Sequence, residues 1–290
     1  MTRAAEGAGH RAGPAEGVMV TELRDGTRRE RPDQVVGEEP LEIRLGGPGT
    51  APAPVAVTMR TPGHDFELAV GFLLGEGLLD GQDAVRAVKY CELPEGDPQQ
   101  FNVVTVTAAA PVDVEGRQRA STVSASCGVC GTATLDALRD RCPPVPEGAT
   151  VDQELLMSLP GRLRRRQRIF ERTGGLHAAG LWGADGRMLA VREDIGRHNA
   201  VDKLVGWAAL QHRLPLSEAV LVVSGRVSFE IVQKAAVAGI PVLAAVSAPS
   251  SLAVATARSL GMTLAGFVRD GRANLYAAPW RVASAGGGAS

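Results

Sequence analysis

The sequence predicts two parts of different fold class: an α+β region in the N-terminal half, and a three-layer α/β domain in the C-terminal half. In the first half, short alternating apolar segments surround one apolar helix. In the second half, strands and helices alternate from residue 219 onward. The strands there are continuous apolar runs, which are typical of a parallel sheet covered by helices on both faces.

The N-terminal half contains predicted strands at 40–47, 53–60, 85–93 and 101–108. Alternation in VAVTMR and NVVTVT indicates half-buried strands. Between the second and third strands, residues 61–77 predict a helix that covers one sheet face. Thr61 suits its N-cap, Pro62 its first turn, and Gly75 or Gly77 its end.

The C-terminal half begins with a short predicted helix at 132–142 and a longer one within 151–175. Thr150 and Gln153 form a potential capping box for the longer helix, and Pro160 is expected to interrupt or split it. Residues 177–194 predict two strands around a turn at 185–186. Helices then follow at 195–212, 227–239 and 250–261, and strands at 219–225, 240–248 and 262–276.

These elements predict a division of the chain into five segments. The expected segments are a disordered tail (1–20), a small α+β domain (21–110), a mobile loop (111–132), the α/β domain (133–280) and a second disordered tail (281–290). The loop prediction rests on a stretch of small, polar and charged residues without apolar periodicity. A loop of that composition lets the cysteines it carries reach more than one partner.

Composition excludes several function classes. The 290 residues carry a formal net charge of −1, whereas a general nucleic-acid binder needs a net basic surface. No apolar run reaches membrane-spanning length, and the N-terminus lacks the apolar core of a signal peptide. We therefore expect a cytoplasmic protein that binds neither nucleic acid nor membranes. In that reducing compartment, a close cysteine pair indicates catalysis or metal binding before a structural disulfide.

The stretch SCGVCG (126–131) places Cys127 and Cys130 two residues apart between glycines. A thiolate on one cysteine can attack a sulfur held on the other at this spacing, which suits disulfide exchange or persulfide handling. The N-terminus of the following helix, together with Arg117 and Arg119, would lower a thiol pKa.

Three other roles of the cysteine pair have less support in the sequence. A structural zinc site needs four ligands, and Cys91 and Cys142 do not form a second close pair. A thioredoxin-type dithiol needs an apolar strand directly before it, which ASTVSAS does not supply. A zinc deaminase needs H-x-E and P-C-x-x-C, and Ser126 stands in place of the proline. No metal site is predicted, although the first two alternatives remain open.

Five sequence blocks follow one another in a characteristic order: RTPGHDFELAVGFLLGEG (60–77), SCGVCG (126–131), TGGLHAAGL (173–181), REDIGRHNAVDKLVG (192–206) and SGRVSFEIVQKAAVAGIP (224–241). With these blocks the chain resembles the formate dehydrogenase accessory sulfurtransferases. The resemblance runs from about residue 38 to 278. Five ordered blocks are far more specific than the cysteine motif alone.

The resemblance implies a homodimeric sulfur carrier. Such a protein accepts sulfur as a persulfide from a cysteine desulfurase and passes it to the molybdenum or tungsten bis-guanine-dinucleotide cofactor of formate dehydrogenase. By position, Cys127 would bear the persulfide and Cys130 would relay or resolve it. The resemblance also implies a cytidine-deaminase-like fold for the second half, without its zinc-site motifs. A cofactor-binding chaperone whose cysteines transfer nothing is the alternative.

The chemistry of the sequence also predicts where the cofactor binds. In parallel α/β sheets, ligands lie beyond the carboxyl ends of the strands. The candidate residues there are Ser224, Gly225, Arg226, Ser247, Phe267, Val268, Arg269, Asp270, Gly271 and Arg272. The arginines suit phosphate or a guanine edge, Asp270 can accept from guanine, and helix N-termini suit phosphate. The family's nucleotide-contacting stretch falls on 267–272, and a guanine nucleotide alone is expected to fit the same site.

Two histidines extend the candidate site. His177 follows a glycine pair and can hydrogen-bond phosphate or carry a proton. His198 lies near a predicted helix start with Asp194, Asn199 and Lys203, where Asp194 is the expected cap. The arginine run at 161–168 predicts a solvated face, or alternatively a docking surface for an acidic partner such as the desulfurase.

Overall fold

The computed structural model describes residues 13–91, 99–114, 145, 150–269 and 271–284. The strands are β1 Ala15–Arg24, β2 Thr27–Val36, β3 Glu39–Gly47, β4 Thr50–Arg60, β5 Val85–Tyr90, β6 Val103–Ala108, β7 Val151–Asp152, β8 His177–Gly183, β9 Met188–Asp194, β10 Ala219–Val223, β11 Val242–Ala245, β12 Thr263–Arg269, β13 Arg272–Ala277 and β14 Val282–Ala283. The α-helices are α1 Asp65–Gly75, α2 Gln153–Arg164, α3 Arg168–Thr173, α4 Arg197–Leu210, α5 Phe229–Val237 and α6 Ser251–Ser259.

The N-terminal half contains a four-stranded sheet in the order β4-β3-β6-β5, and its four predicted strands are confirmed. β3 and β6 are parallel, and the two outer pairs are antiparallel. Leu41, Ile43 and Leu45 of β3 are fully buried because alternate side chains of a strand share one face. α1 packs over that face, as predicted.

Residues 15–20 form a strand, so the predicted disordered tail over 1–20 is wrong there. β1 pairs along its whole length with β2 in an antiparallel hairpin. Asp25 and Gly26 form its turn, with φ of 50° and 76°. Both values lie in the left-handed region that two-residue hairpin turns require. The Asp-Gly dipeptide between alternating segments was the sequence signal for this hairpin.

Helix α1 begins three residues later than the Thr61 cap predicts, at Asp65. His64 occupies the N-cap with a left-handed φ of 58° and makes no side-chain capping bond. The hydroxyl of Thr61 instead accepts a hydrogen bond from the backbone N–H of Ile195, at 3.1 Å. Arg60 is 1% exposed and binds both carboxylate oxygens of Asp65, at 3.0 and 3.3 Å. This buried ion pair fixes the loop that leads into α1.

The C-terminal half contains a six-stranded sheet in the order β13-β12-β11-β10-β8-β9. β10, β11 and β12 are parallel, whereas the outer pairs are antiparallel. The sheet is therefore mixed and not wholly parallel. The single closing strand predicted at 262–276 is wrong, because the chain reverses between β12 and β13. The central strands and the helices between them are confirmed.

Helices cover both faces of this sheet, which confirms the three-layer α/β prediction. On one face, Val220, Val222 and Val242 pack with the apolar side of α2, formed by Leu156, Leu159 and Leu163. On the other face, the leucines of β10 to β12 pack with α4, α5 and α6. A cytidine-deaminase-like relationship of this domain stays a prediction.

Helix α2 differs from its predicted start and from its predicted break. Asp152, not Thr150, is its N-cap, and its carboxylate accepts from the backbone N–H groups of Glu154 and Leu155. Pro160 lies buried inside the helix, and the chain turns only at 165–167 before α3. Packing of the flanking leucines on the sheet offsets the hydrogen bond that a proline removes.

The two halves share one apolar core, because α1 packs directly on α4. A Cβ at Gly71 of α1 would overlap the carbonyl oxygen of Asp202, and one at Gly206 of α4 would overlap that of Glu67. The helix backbones therefore cross at a distance that only glycine allows. This contact joins the predicted small domain to the predicted α/β domain.

The C-terminal end is also more ordered than predicted. β14 pairs in parallel with β7, and the side chain of Arg281 is buried, so the predicted tail over 281–290 is wrong at its start. Residues 285–290 lie outside the described part of the chain. Among the described residues, no helix combines the length and the apolar character needed to cross a membrane.

Candidate functional site

Several predicted site residues meet at one edge of the six-stranded sheet. Ser224 follows β10, Ser247 lies just beyond β11, and Arg269 ends β12. Because these strands are parallel, their carboxyl ends lie side by side. β8 runs antiparallel to β10, so its first residue, His177, lies at the same edge. β9 ends there too, with Asp194 paired to His177.

A cavity of about 540 Å³ opens at this edge. Its lining residues are Pro160, Leu163, Arg164, Gln167, Phe170, Gly174, Gly175, Leu176, His177, Ser224, Val246, Val268 and Arg269. Four of them, His177, Ser224, Val268 and Arg269, are predicted site residues. The volume lies in the range typical of pockets for nucleotides and other small ligands.

The other predicted site residues that the structure describes do not line the cavity. Gly225 packs against His177, since a Cβ there would lie 3.3 Å from the ring Nδ1. Arg226 and Gly271 are exposed, and Arg272 is exposed and faces Arg269 across the β12–β13 turn. Asp270 lies outside the described residues.

An irregularity in β12 turns its last residues toward the cavity. The register with β13 shifts between Gly266 and Arg269, and Phe267 has a left-handed φ of 53°. The backbone N–H of Phe267 donates to the carbonyl of Ser247, at 3.2 Å, which holds this bend against β11. Such bends re-aim side chains and concentrate at binding sites. Val268 and Arg269 reach the cavity by this route.

Two neutral histidines flank a permanent cation at the site. Burial lowers the pKa of His177, and the neighbouring Arg197 lowers it further. Burial and Arg197 likewise lower the pKa of His198. The Nε2 of His198 lies 3.0 Å from the hydroxyl of Ser228. The buried Nε of Arg197 has no hydrogen-bond partner among the described residues.

Three helices begin at this edge. α4 starts at Arg197, α5 after Ser228 and α6 after Ser250. Ser250 caps its helix by accepting from the backbone N–H of Ala253, whereas Ser228 makes no capping bond. Free N–H groups and the positive end of each helix dipole therefore face the strand ends. This arrangement favours anionic ligands.

The corner between α2 and α3 closes the cavity. The guanidinium carbon of Arg164 lies 4.4 Å from the centre of the Phe170 ring, and both residues line the cavity. Part of the arginine run therefore belongs to the site. The carboxylate of Glu193 in β9 holds α3 by accepting from the backbone N–H groups of Ile169 and Phe170, at 3.1 and 2.8 Å. No local pattern shows that this corner faces the strand ends.

Three residues of the cluster expected around the start of α4 form a buried polar network. Asp194 is fully buried, pairs with Lys203 at 2.6 Å, and accepts from the backbone of Thr61 and Gly196 and from the side chain of Asn199. Lys203 also donates to the carbonyl of Thr61, at 2.9 Å. Asp194, Asn199 and Lys203 thus join α4 to the N-terminal half.

Cys127 and Cys130 lie outside the described residues, as does Cys142. Cys91 is half-buried, with its sulfur 3.9 Å from a guanidinium nitrogen of Arg44. Within the described part of the chain, no group of three or more His, Cys, Asp or Glu side chains is arranged to hold a metal ion.

Comparison with known proteins identifies the relatives of this chain. Two relatives called sulfur carrier protein FdhD are similar to it. The protein of Mycolicibacterium paratuberculosis is 52% identical over 263 residues, which cover 89% of this chain and 94% of the relative. The protein of Streptomyces coelicolor is 53% identical over 275 residues, which cover 91% of this chain and 94% of the relative. A solved structure from Desulfotalea psychrophila, described as a candidate formate dehydrogenase accessory protein, superimposes with a TM-score of 0.72 and 25% identity, covering 93% of this chain and 99% of the other. The model of the FdhD/NarQ family matches residues 36–283. The chain therefore belongs to the FdhD/NarQ family.

Proposed function

We propose that the protein is a sulfur carrier. It takes sulfur from a cysteine desulfurase as a persulfide on Cys127 and delivers it to the molybdenum or tungsten bis-guanine-dinucleotide cofactor required by formate dehydrogenase. The names of its relatives support the carrier role. The cavity at the sheet edge, with cationic and neutral donors on apolar walls, is the observation that carries the cofactor assignment.

The cavity suits one guanine-nucleotide arm of that cofactor. Arg269 brings a charge to the mouth, and helix N-termini point at the same edge. The hydroxyl of Ser224 accepts from the backbone N–H of Ala178, at 2.9 Å, so its own hydrogen is directed elsewhere and suits a phosphate oxygen. His177, neutral at pH 7, can donate a further hydrogen bond.

The loading step conserves atoms and electrons. The Cys127 thiolate attacks the outer sulfur of the desulfurase persulfide and forms a new S–S bond. The desulfurase cysteine leaves as a thiolate, so one zero-valent sulfur moves without net oxidation. Cys127 then carries a persulfide anion.

Cys130 can complete the delivery. Its thiolate attacks the inner sulfur of the protonated Cys127 persulfide, which forms a Cys127–Cys130 disulfide and releases hydrosulfide. The transferred sulfur is reduced while the two cysteines are oxidised. A cellular thiol then reduces the disulfide for the next cycle.

Further parts of the proposal rest on the family resemblance. A homodimer is expected, with formate dehydrogenase and a cysteine desulfurase as partners. We expect these encounters to take place in the cytoplasm.

A cofactor-binding chaperone is the second candidate function. The observation that favours it is that the lining of the cavity contains no cysteine among the described residues. Such a protein would bind and protect the cofactor without transferring sulfur.

A persulfide map separates these functions. The purified protein is incubated with a cysteine desulfurase and cysteine, alkylated, digested and analysed by mass spectrometry. The carrier predicts one additional sulfur on the peptide with Cys127 and Cys130, removed by a reductant and lost in Cys127→Ala.

Activation of formate dehydrogenase supplies the second measurement. Cys127→Ala should abolish activation, and Cys142→Ala is the matched control expected to retain it. Full activation by Cys127→Ala, with no sulfur on the peptide of the unmodified chain, would establish the chaperone instead.

A further inference from the structure

Gln167 lies in the corner between α2 and α3 and lines the cavity. The residue is 5% exposed, and its side-chain amide makes no hydrogen bond with the described residues. Asn199, the other buried side-chain amide, donates to the carbonyl of Met59 and to Asp194. The amide atoms keep access to the open space of the cavity, because they are not among the fully buried side-chain atoms that lack a partner. The amide of Gln167 is therefore available to a ligand in the cavity.

The surroundings of Gln167 suit a flat aromatic ligand. The ring of Phe170 lines the same end of the cavity, with Arg164 at 4.4 Å from its centre, and Leu163 adds an apolar wall. Nucleobases bind by stacking on aromatic rings while side-chain amides hydrogen-bond their edges. Arg269 and His177 lie at the strand ends, so phosphates belong there and the base belongs at the helical corner.

We infer that Gln167 is the base-recognition residue of this cavity, pairing with the edge of a purine that packs on Phe170. The amide nitrogen donates to O6 of guanine, and the amide oxygen accepts from N1–H. The inference rests on the proposed function, because it requires a guanine nucleotide in the cavity. It transfers to Gln167 the base contact that the sequence suggested for Asp270.

A side-chain substitution tests this role without disturbing the corner. The backbone N–H of Gln167 donates to the carbonyl of Arg164, and its carbonyl accepts from the N–H of Glu171. Both bonds survive in Gln167→Met, which has similar volume and no hydrogen-bonding amide. The variant should unfold at about the same denaturant concentration, since it keeps the side-chain volume and removes no hydrogen bond between described residues.

Calorimetric titration of the full chain with GDP, IDP, ADP and pyrophosphate gives the readout. Gln167→Met should weaken GDP binding about 10- to 100-fold, as expected for losing a bidentate base contact. Pyrophosphate affinity should not change. Gln167→Glu should prefer GDP over IDP, because a carboxylate accepts from both N1–H and the N2 amino group that IDP lacks. Gln211→Met, at an exposed glutamine beyond α4, is the control expected to bind like the unmodified chain.

The outcomes separate this inference from the proposed function. Unchanged GDP affinity in Gln167→Met, with GDP bound by the unmodified chain, overturns the inference alone. Equal losses for GDP and pyrophosphate also overturn it, because the substitution would then have disturbed the whole cavity. Failure of the unmodified chain to bind either ligand overturns both the inference and the cofactor assignment. Persulfide loading of Cys127 should remain intact in Gln167→Met.

Discussion

His177 shows how one residue depends on its surroundings. Its position after a glycine pair predicted a ligand contact, and the structure places it on the cavity beside Gly225. The lowering of its pKa, however, follows from burial and from Arg197, which lies twenty residues away in the sequence. The direction of this pKa shift was therefore not predictable from the residues next to His177 in the sequence.

We expect Arg197→Met to raise the pKa of both His177 and His198, because a nearby positive charge disfavours a second one. Titration of the imidazole signals by NMR measures both values. Pyrophosphate added to the unmodified chain should likewise raise the pKa of His177, since an anion stabilises imidazolium. Arg187→Met, on the exposed β8–β9 turn, is the control that should leave both titrations unchanged. Identical titrations in Arg197→Met would contradict the prediction.

The buried carboxyl group of Asp202 provides a second test at the scale of single residues, through the pH dependence of stability. Burial raises its pKa to about 6, although Lys234, at 2.8 Å, favours the ionised form. Burial alone would lower the pKa of Lys234, but Asp202 and Glu76 raise it. Because the folded pKa of Asp202 exceeds its ordinary value of 3.8, the folded state binds more protons between pH 4 and 6.

The contribution of Asp202 to stability should therefore be complete below pH 4 and lost as the pH rises through 6. Urea unfolding at pH 7 and at pH 4.5 measures this for the unmodified chain and for Asp202→Asn. The stability difference in favour of the unmodified chain should grow by about 2 kcal/mol between pH 7 and pH 4.5. The histidines cancel in the comparison, since both proteins contain them. A difference that shrinks at low pH would refute the assignment.

At the scale of elements, the crossing of α1 and α4 depends on Gly71 and Gly206. Both lie inside helices, where alanine is ordinarily the more favourable residue. A glycine inside a helix costs about 1 kcal/mol relative to alanine, so its presence indicates a close contact. The sequence shows Gly71 and Gly206 as isolated glycines in apolar helices. The contact partner could be known only when both helices were in place.

Gly71→Ala should destabilise the fold by about 3 kcal/mol or more, because the new methyl group would overlap backbone that cannot move aside. Gly161→Ala is a matched control within helix α2. A Cβ there would meet only a guanidinium nitrogen of Arg165, at 3.7 Å. It should stabilise the protein by about 1 kcal/mol through helix propensity. Chemical unfolding measures the free energy of unfolding of both variants. Equal changes in the two variants would show that α1 and α4 have room for a methyl group between them.

At the scale of the whole molecule, the N-terminal and C-terminal halves share one apolar core. Their apolar residues form one cluster, and the buried Lys203–Asp194 pair binds the backbone of Thr61 across the boundary. The sequence suggested separate domains because its strand and helix pattern changes near residue 110. That change marks the boundary between the two sheets, which are connected through the packing of α1 on α4.

We expect the halves to unfold together. All three tryptophans lie in the C-terminal half, so their fluorescence reports that half alone. Hydrogen exchange of β3 amides reports the N-terminal half. Both probes should give the same free energy of unfolding. Earlier exchange of β3 at low denaturant would instead indicate an independently unfolding N-terminal domain.

The sequence by itself determined most elements, the layered α/β class, the family and the edge of the sheet at which His177, Ser224 and Arg269 meet. These features follow from periodicity, turn residues and the direction of parallel strands, which are local properties of the chain. The tertiary structure alone decided that the α2–α3 corner covers that edge, that Gln167 lines the cavity there, and that glycines set the helix crossing. Those features depend on how helices and sheets pack against one another. Whether a residue is buried is decided by its neighbours in space, and these are not visible in its local sequence.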